Sequence, residues 1–208
     1  IVLGPATDSR IAWGDYDNDG FLDILLTGHR LTSPGTYTYI PSLYHNDRAG
    51  NFMETSAGLP GLYSQRGVWG DYDNDGDLDL LIAGTSTGAF NGTISRIYRN
   101  DGGGAFSVDS AASNAITNLY YASVAWGDYD RDGDLDLAIN GFDGQENAIT
   151  RIYENDAADT GAANTPPQPP ANLQRTLLGT SIQFSWSPGS DAETPTAGLT
   201  YNLRVGTY

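Results

Sequence analysis

The sequence predicts an all-β protein built from three consecutive four-stranded units, and three observations carry that reading. Of its 26 acidic residues 22 are Asp, and Gly supplies another 26 of the 208 positions; both residues favour turns over helix interiors. No long segment has the apolar spacing of a helix, whereas short apolar runs bounded by Gly, Asn and Asp recur along the chain. The chain also repeats itself: Trp69 follows Trp13 by 56 residues and Trp126 follows Trp69 by 57. Repeats of this length are the signature of stacked supersecondary units.

The repeated segments are Trp13-Gly-Asp-Tyr-Asp-Asn-Asp-Gly-Phe-Leu-Asp23, Trp69-Gly-Asp-Tyr-Asp-Asn-Asp-Gly-Asp-Leu-Asp79 and Trp126-Gly-Asp-Tyr-Asp-Arg-Asp-Gly-Asp-Leu-Asp136. In each unit a strand ending at the Trp enters the acidic loop. A second strand leaves it as Asp23–Gly28, Asp79–Gly84 or Asp136–Gly141, and its continuous apolar run is that of a strand covered on both faces. The third strand ends at Tyr44, Tyr98 or Tyr153, within Leu43-Tyr-His-Asn-Asp47, Ile97-Tyr-Arg-Asn-Asp101 and Ile152-Tyr-Glu-Asn-Asp156. The Asn-Asp pair turns the chain, and a fourth strand starts at Phe52 or Phe106. Four-stranded units arranged radially make a β-propeller, so residues 1–164 are expected to form blades over 9–56, 65–110 and 122–156. The third unit has no Phe-led fourth strand, which makes the expected propeller open or partial. Both ends of the array look cut.

Residues 165–170, Thr165-Pro-Pro-Gln-Pro-Pro170, form a stiff linker. Beyond it, Ile182, Phe184 and Trp186 alternate along one strand, and Tyr201, Leu203 and Val205 along another. This stretch, 171–208, resembles the first half of a fibronectin type III sandwich and is expected to supply partial β-sandwich strands.

The acidic loops carry the chemistry. Asp15, Asp17 and Asp19 precede Gly20 and Asp23; the same pattern recurs as Asp71, Asp73, Asp75, Gly76, Asp79 and as Asp128, Asp130, Asp132, Gly133, Asp136. Alternate residues of a tight loop can turn their carboxylates toward one centre, and Gly at the sixth position permits the sharp turn. The backbone carbonyl of the seventh residue (Phe21, Asp77 or Asp134) adds an oxygen, and the ninth-position Asp closes the shell. Oxygen donors suit Ca²⁺, and a motif without nitrogen or sulfur fits zinc poorly. Fourteen of the 26 acids lie in these loops, where they repel strongly without a cation. About three Ca²⁺ sites are expected, in a structural role, because no nucleophile or base recurs beside them.

Composition removes other classes. A net charge of −16, with Arg as the only basic residue besides two His, disfavours nucleic acid and anionic lipid. No apolar run approaches membrane-spanning length, and no Cys is present for thiol, disulfide or thiolate-metal chemistry. His29 and His45 are expected in ordinary surface or turn roles. Gly102–Gly104 lacks the helix that a phosphate loop needs. Trp13, Trp69 and Trp126 are expected between blades rather than as sugar platforms. Asn91-Gly-Thr93 is a glycosylation sequon, with modification left open.

Taken together, the Trp-Gly-Asp-Tyr-Asp-Asn-Asp-Gly-Asp-Leu-Asp-Leu units and Ile-Tyr-Arg-Asn-Asp-Gly resemble FG-GAP/VCBS-type repeats, the blades of integrin-like propellers, over about residues 9–156. The resemblance implies Ca²⁺-binding blades of secreted or surface-exposed adhesion and recognition proteins. Its metal roles fall on the twelve Asp residues at the first, third, fifth and ninth loop positions. The expected function is a non-enzymatic, calcium-stabilised extracellular or cell-surface structural or adhesive protein. Exposed blade faces imply either a longer protein or self-assembly, in its sharpest form a head-to-tail filament of homo-oligomers. The alternatives are an accessory module of a secreted carbohydrate-active enzyme, or a module binding a surface protein or carbohydrate ligand, with loops such as Leu31–Tyr39 as the place to look. Neither nucleic acid nor membrane insertion is expected.

Overall fold

The computed structural model describes residues 3–87, 90–156, 167–179, 181–190, 201 and 203. It is all-β, with several antiparallel sheets, none of which closes on itself. The first sheet contains β1 (Thr7–Gly14), β2 (Asp23–Ser33), β3 (Thr36–Asn46) and β4 (Phe52–Thr55) in that spatial order. The second repeats it with β5 (Tyr63–Gly70), β6 (Asp79–Thr85), β7 (Thr93–Asn100) and β8 (Phe106–Asp109). The third has β9 (Tyr120–Gly127), β10 (Asp136–Phe142) and β11 (Ala148–Tyr153). Short connections allow only antiparallel neighbours, and every pairing is antiparallel.

The apolar runs of the second strands are explained by packing on both faces. In β6, Leu80 and Ile82 join Leu25, Leu62 and Tyr98 in one cluster, toward the first sheet. Leu81 and Ala83 point the other way and join Leu137, Ile139 and Ala122 of the third sheet. Side chains of period two thus fill two interfaces, each fully buried aliphatic contributing about 1.5–3 kcal/mol. In β10 only one face is used: Leu137 and Ile139 are buried while Ala138 and Asn140 are exposed.

Trp residues join successive sheets through a glycine. A Cβ on Gly14 would lie 2.8 Å from Cδ1 of Trp69, and one on Gly70 would lie 2.5 Å from Cδ1 of Trp126, whereas one on Gly127 would meet nothing within 4 Å among the described residues. Trp69 and Trp126 stack on Tyr16 and Tyr72, with centroids 6.5 and 6.3 Å apart. Trp13 departs from the expected inter-blade position: it is 56% exposed, because no sheet precedes its own among the described residues. Gly70→Ala is expected to cost about 2 kcal/mol through overpacking, and Gly127→Ala to stay within about 0.5 kcal/mol of wild type. Equal effects in urea unfolding would refute the seat.

Three local features differ from expectation. Leu31–Tyr39 is the end of a long β2–β3 hairpin rather than a loop. Pro34-Gly35 makes its turn, with Gly35 at φ 79°, and Thr36-Tyr-Thr-Tyr39 are strong strand formers. Between β8 and β9 lies a one-and-a-half-turn helix, α1 (Ser110–Ala115), capped by Asp109, whose side chain accepts from the Ala112 amide. Ser113 Oγ of α1 accepts the Ile97 amide hydrogen at 3.0 Å, docking the helix on β7. Finally, β1, β5 and β9 each carry a register shift near their starts: Thr7/Arg10, Tyr63/Arg66 and, opposite Asn140/Phe142, between Tyr120 and Ser123.

Downstream, β12 (Ala171–Leu178) and β13 (Ser181–Ser187) form a two-stranded antiparallel sheet. The expected strand around Tyr201–Val205 lies outside the described residues except for Tyr201 and Leu203, neither of which is in a strand. Tyr201 packs on Trp186 with centroids 5.6 Å apart. Of the expected linker, residues 167–170 are described, and Gln168 bridges to Ser190.

Candidate metal centres

Each acidic loop connects the first two strands of its sheet, and its fold follows from a few residues. Asn18, Asn74 and Arg131 at the fourth position have φ of 56°, 58° and 69°, a left-handed conformation that Asn tolerates better than Arg. Gly20, Gly76 and Gly133 follow at φ 88°, 91° and 102°. The first-position carboxylates tie the loop to itself. Asp15 accepts from the amides of Asp19 and Gly20 at 3.0 and 2.8 Å, Asp71 from Gly76 at 3.1 Å and Asp128 from Arg131 at 2.6 Å. The fifth-position residues Asp19, Asp75 and Asp132 accept from the amides two residues on.

The ninth-position Asp has a second duty. Asp23 accepts from the amides of Tyr16 and Asn46 at 3.3 and 2.8 Å. Asp79 accepts from Tyr72 and Asn100 at 3.1 and 2.8 Å, and Asp136 from Tyr129 and Asn155 at 2.9 and 2.9 Å. Each of these carboxylates clamps its loop to the end of the third strand. Asn46, Asn100 and Asn155, which sequence reasoning treats as turn residues, complete the frame. Their side-chain amides donate to the carbonyls of Leu22, Leu78 and Leu135. Asn100 and Asn155 also reach back to the carbonyls of Tyr16 and Tyr72 in the acidic loop of the preceding sheet, both at 2.7 Å. The signal was present in the recurring Tyr-x-Asn-Asp, but only long-range pairing gives it meaning.

Loops also bond to one another. Asn18 donates to the Gly76 carbonyl and to Asp77, at 3.1 and 2.5 Å, and Asn74 donates to Gly133 and Asp134, at 3.5 and 2.5 Å. The side chains of Asp77 and Asp134 are thus turned to the preceding loop, and Phe21 at the same position lies beneath the Arg48 guanidinium, 5.4 Å from its carbon.

Among the described residues, four groups offer ligand atoms within 4.8 Å of one another: Asp15, Asp17 and Asp19; Asp17, Asp23 and His45; Asp71, Asp73 and Asp79; and Asp128, Asp130 and Asp136. Asp75 and Asp132 fall outside these groups, as do the seventh-position residues. Whether the residues suit a cation can be judged from what they leave unsatisfied. Among the described residues, Asp17 Oδ1, Asp71 Oδ1 and Asp73 Oδ1 are buried without a hydrogen-bond donor, a costly state for a carboxylate. Burial foremost, with the charges of Asp75 and Asp73, raises Asp71 to about 6. Burial, with Asp73 as the leading like charge, raises Asp79 to about 7 against the lowering pull of its two amides. Such groups suit an oxygen-seeking divalent cation, which would neutralise them in place of protons.

The first loop differs from the others. His45, expected in an ordinary turn role, lies 3.1 Å from Asp17 and 3.5 Å from Asp23, and Arg48 pairs with Asp19 at 3.0 Å. With four acids and the Arg48 guanidinium beside them, it carries the least negative charge of the three candidate sites. His29 is far from this chemistry, 3.9 Å from Asp8 and edge-on to Tyr37. Asn91 lies exposed in a 3₁₀ turn, Phe90–Gly92, and accepts from Thr87 Oγ1 at 3.2 Å.

No curated protein and no solved structure matches the chain. The FG-GAP-like repeat family matches it twice, over residues 15–82 and 71–139. Each match runs from one acidic loop to the second strand of the following sheet, so the matched unit is the loop-to-loop frame described above. On this ground the chain belongs to the FG-GAP-like repeat family.

Proposed function

We propose that the protein is a non-catalytic, calcium-stabilised structural or adhesive module of the cell surface or extracellular space. Its sheets stand as blades of an open propeller-type array. Ca²⁺ is held by Asp15, Asp17, Asp19 and Asp23, by Asp71, Asp73, Asp75 and Asp79, and by Asp128, Asp130, Asp132 and Asp136, with the carbonyls of Phe21, Asp77 and Asp134. The cation supplies charge neutralisation; the chain's own Asn and Tyr residues transmit the loop geometry from one sheet to the next. No helix of the described residues is long and apolar enough to cross a membrane.

The observation that carries the adhesive reading is the outer face of the third sheet. There Gly127 reproduces the seat that holds a Trp ring at Gly14 and Gly70, but among the described residues nothing lies within 4 Å of a Cβ built there. Tyr129 is 56% exposed where its counterparts Tyr16 and Tyr72 are 6% and 7% exposed. A groove of about 230 Å³ lies between Trp126, Tyr129 and Ile152. The matching plug, Trp13, is exposed at the other end of the array. A second copy therefore fits there by repeating an interface the chain already makes twice, and a heterologous contact of this kind propagates. Sedimentation velocity in millimolar Ca²⁺ tests this. Polymers are expected that disperse on chelation and in Trp13→Ala; a monodisperse monomer in Ca²⁺ would rule self-assembly out.

A further inference from the structure

The opposite end of the sheets holds a cavity of about 260 Å³ shared by all three of them. It is lined by Arg10, His29 and Tyr39 of the first sheet, Tyr63 and Arg66 of the second, and Tyr121 of the third. β1, β5 and β9 run from this cavity to the acidic loops, and the five residue steps from Arg10 to Asp15 put roughly 16 Å between the two ends. The cavity is thus separate from the cation chemistry.

Its lining runs against the acidic balance of the chain. In a chain of net charge −16, two guanidiniums face one space, and among the described residues neither forms an ion pair. Arg10 donates one hydrogen bond, to the Ser9 carbonyl at 2.8 Å, and Arg66 one, to the Gln65 carbonyl at 3.1 Å. Each guanidinium has five N–H donors, so most of their capacity is unspent by protein. Burial foremost, then the charge of Arg10, holds Arg66 below the usual arginine range, a cost that a bound anion relieves.

The backbone places both arginines by the same device. Arg10 and Arg66 each resume the ladder after a register shift, opposite Thr27 and Ala83. Bulges of this kind re-aim side chains next to binding sites. The third sheet has Ser123 at the equivalent rung, opposite Asn140, and contributes Tyr121 from within its own bulge. Tyr121 has φ 47°, a strained conformation for an aromatic residue, of the kind that clusters at functional sites. Tyr39 and Tyr63 form an aromatic wall, with centroids 5.2 Å apart. One carboxylate is present, Asp8, which lies 3.9 Å from His29 Nε2 and offers an acceptor to a hydroxyl.

We infer that this cavity binds an acidic saccharide, its carboxylate taken by Arg10 and Arg66 and its ring lying against the tyrosines. Guanidinium pairs carboxylate through parallel hydrogen bonds, Tyr provides a rigid amphipathic surface, and the volume suits one sugar ring.

Methyl β-glucuronide and methyl β-glucoside differ at this level only in the carboxylate. Calorimetric titration of the Ca²⁺-loaded protein with each, and with acetate, tests the inference. The glucuronide is expected to bind at least about tenfold more tightly than the glucoside, the worth of one charge-assisted hydrogen bond. It should also bind more tightly than acetate, and Arg66→Gln and the more exposed Arg10→Gln should each remove the preference without changing Tm. Equal binding of both glycosides, no saturable binding at tens of millimolar, or an unaltered preference in both variants would overturn it. Acetate binding as tightly as the glucuronide would overturn the saccharide assignment. Because the titration reads a face away from Trp13 and Gly127, its failure leaves the assembly reading standing, and the reverse holds too.

Discussion

Asp79→Ala is expected to remove about 3 kcal/mol of stability even in excess chelator at pH 5, where no cation is present and the carboxyl is protonated. The reason is the clamp. Asp79 is fully buried and satisfies the amides of Tyr72 and Asn100, and alanine leaves both donors orphaned in a dry site. Each orphaned group costs about 1–3 kcal/mol, a large share of the 5–15 kcal/mol typical of a whole domain. Low pH matters because above it the charged carboxylate is itself unfavourable without metal, and its removal would partly offset the loss. Asp75→Ala is the control: Asp75 is exposed and accepts one loop amide, so about 0.5–1 kcal/mol is expected. Urea unfolding of both variants would decide, and a cost below about 1 kcal/mol for Asp79→Ala would show the clamp to be dispensable.

Removing Ca²⁺ at pH 7.5 should lower Tm by about 20 °C. At a free concentration a hundredfold above Kd, each site adds about 2.7 kcal/mol, so three sites add about 8 kcal/mol, and each kcal/mol moves Tm by about 2–4 °C in a chain of this size. The effect should depend on pH with a definite sign. Asp71 and Asp79 titrate at about 6 and about 7 in the folded, metal-free protein, above the 3.8 of an ordinary Asp. Protons therefore bind the folded loops more tightly than the unfolded chain. Their stabilisation is full below about pH 4 and is lost as pH rises through 6 and 7. The metal-free protein should be more stable at pH 5 than at pH 7.5, and the gain from Ca²⁺ should shrink on acidification as protons compete for the same oxygens. Calorimetry with and without chelator at the two pH values would test this. A chelator effect that is absent at pH 7.5, or larger at pH 5, would refute it. The first loop, with one acid fewer than the others and Arg48 paired to Asp19, should release its cation first.

Much of this was legible in the residues themselves. Asp-x-Asp-x-Asp-Gly-x-x-Asp in three copies marks the loops because a carboxylate-rich turn needs left-handed backbone at fixed positions, and that requirement is local. The apolar run Leu80–Ala83 marks a strand covered on both faces because alternation disappears only when both faces are dry. The Asp109 cap of α1 is equally local, but six residues are too few to show a helical period. Pro34-Gly35 announces a hairpin turn, which the polar flanks of the hairpin obscured.

Other features exist only through pairing of distant residues. Trp13, Trp69 and Trp126 share one motif, yet Trp13 is exposed while the other two sit on Gly14 and Gly70, because burial depends on whether a neighbouring sheet is present. Asn100 and Asn155 bridge sheets, each 80-odd residues from its carbonyl partner, and His45 meets Asp17 only because β3 lies beside the loop. Arg10 and Arg66 look like unrelated surface arginines until two bulges bring them to one cavity. By itself the sequence determined the loops, the strand order within each sheet and the clustering of carboxylates that could hold a cation, since those rest on backbone conformation and short-range charge. Tertiary structure alone decided which repeats are covered, how the loops are coupled and where the arginines converge, since those rest on contacts between chain segments that no local pattern encodes.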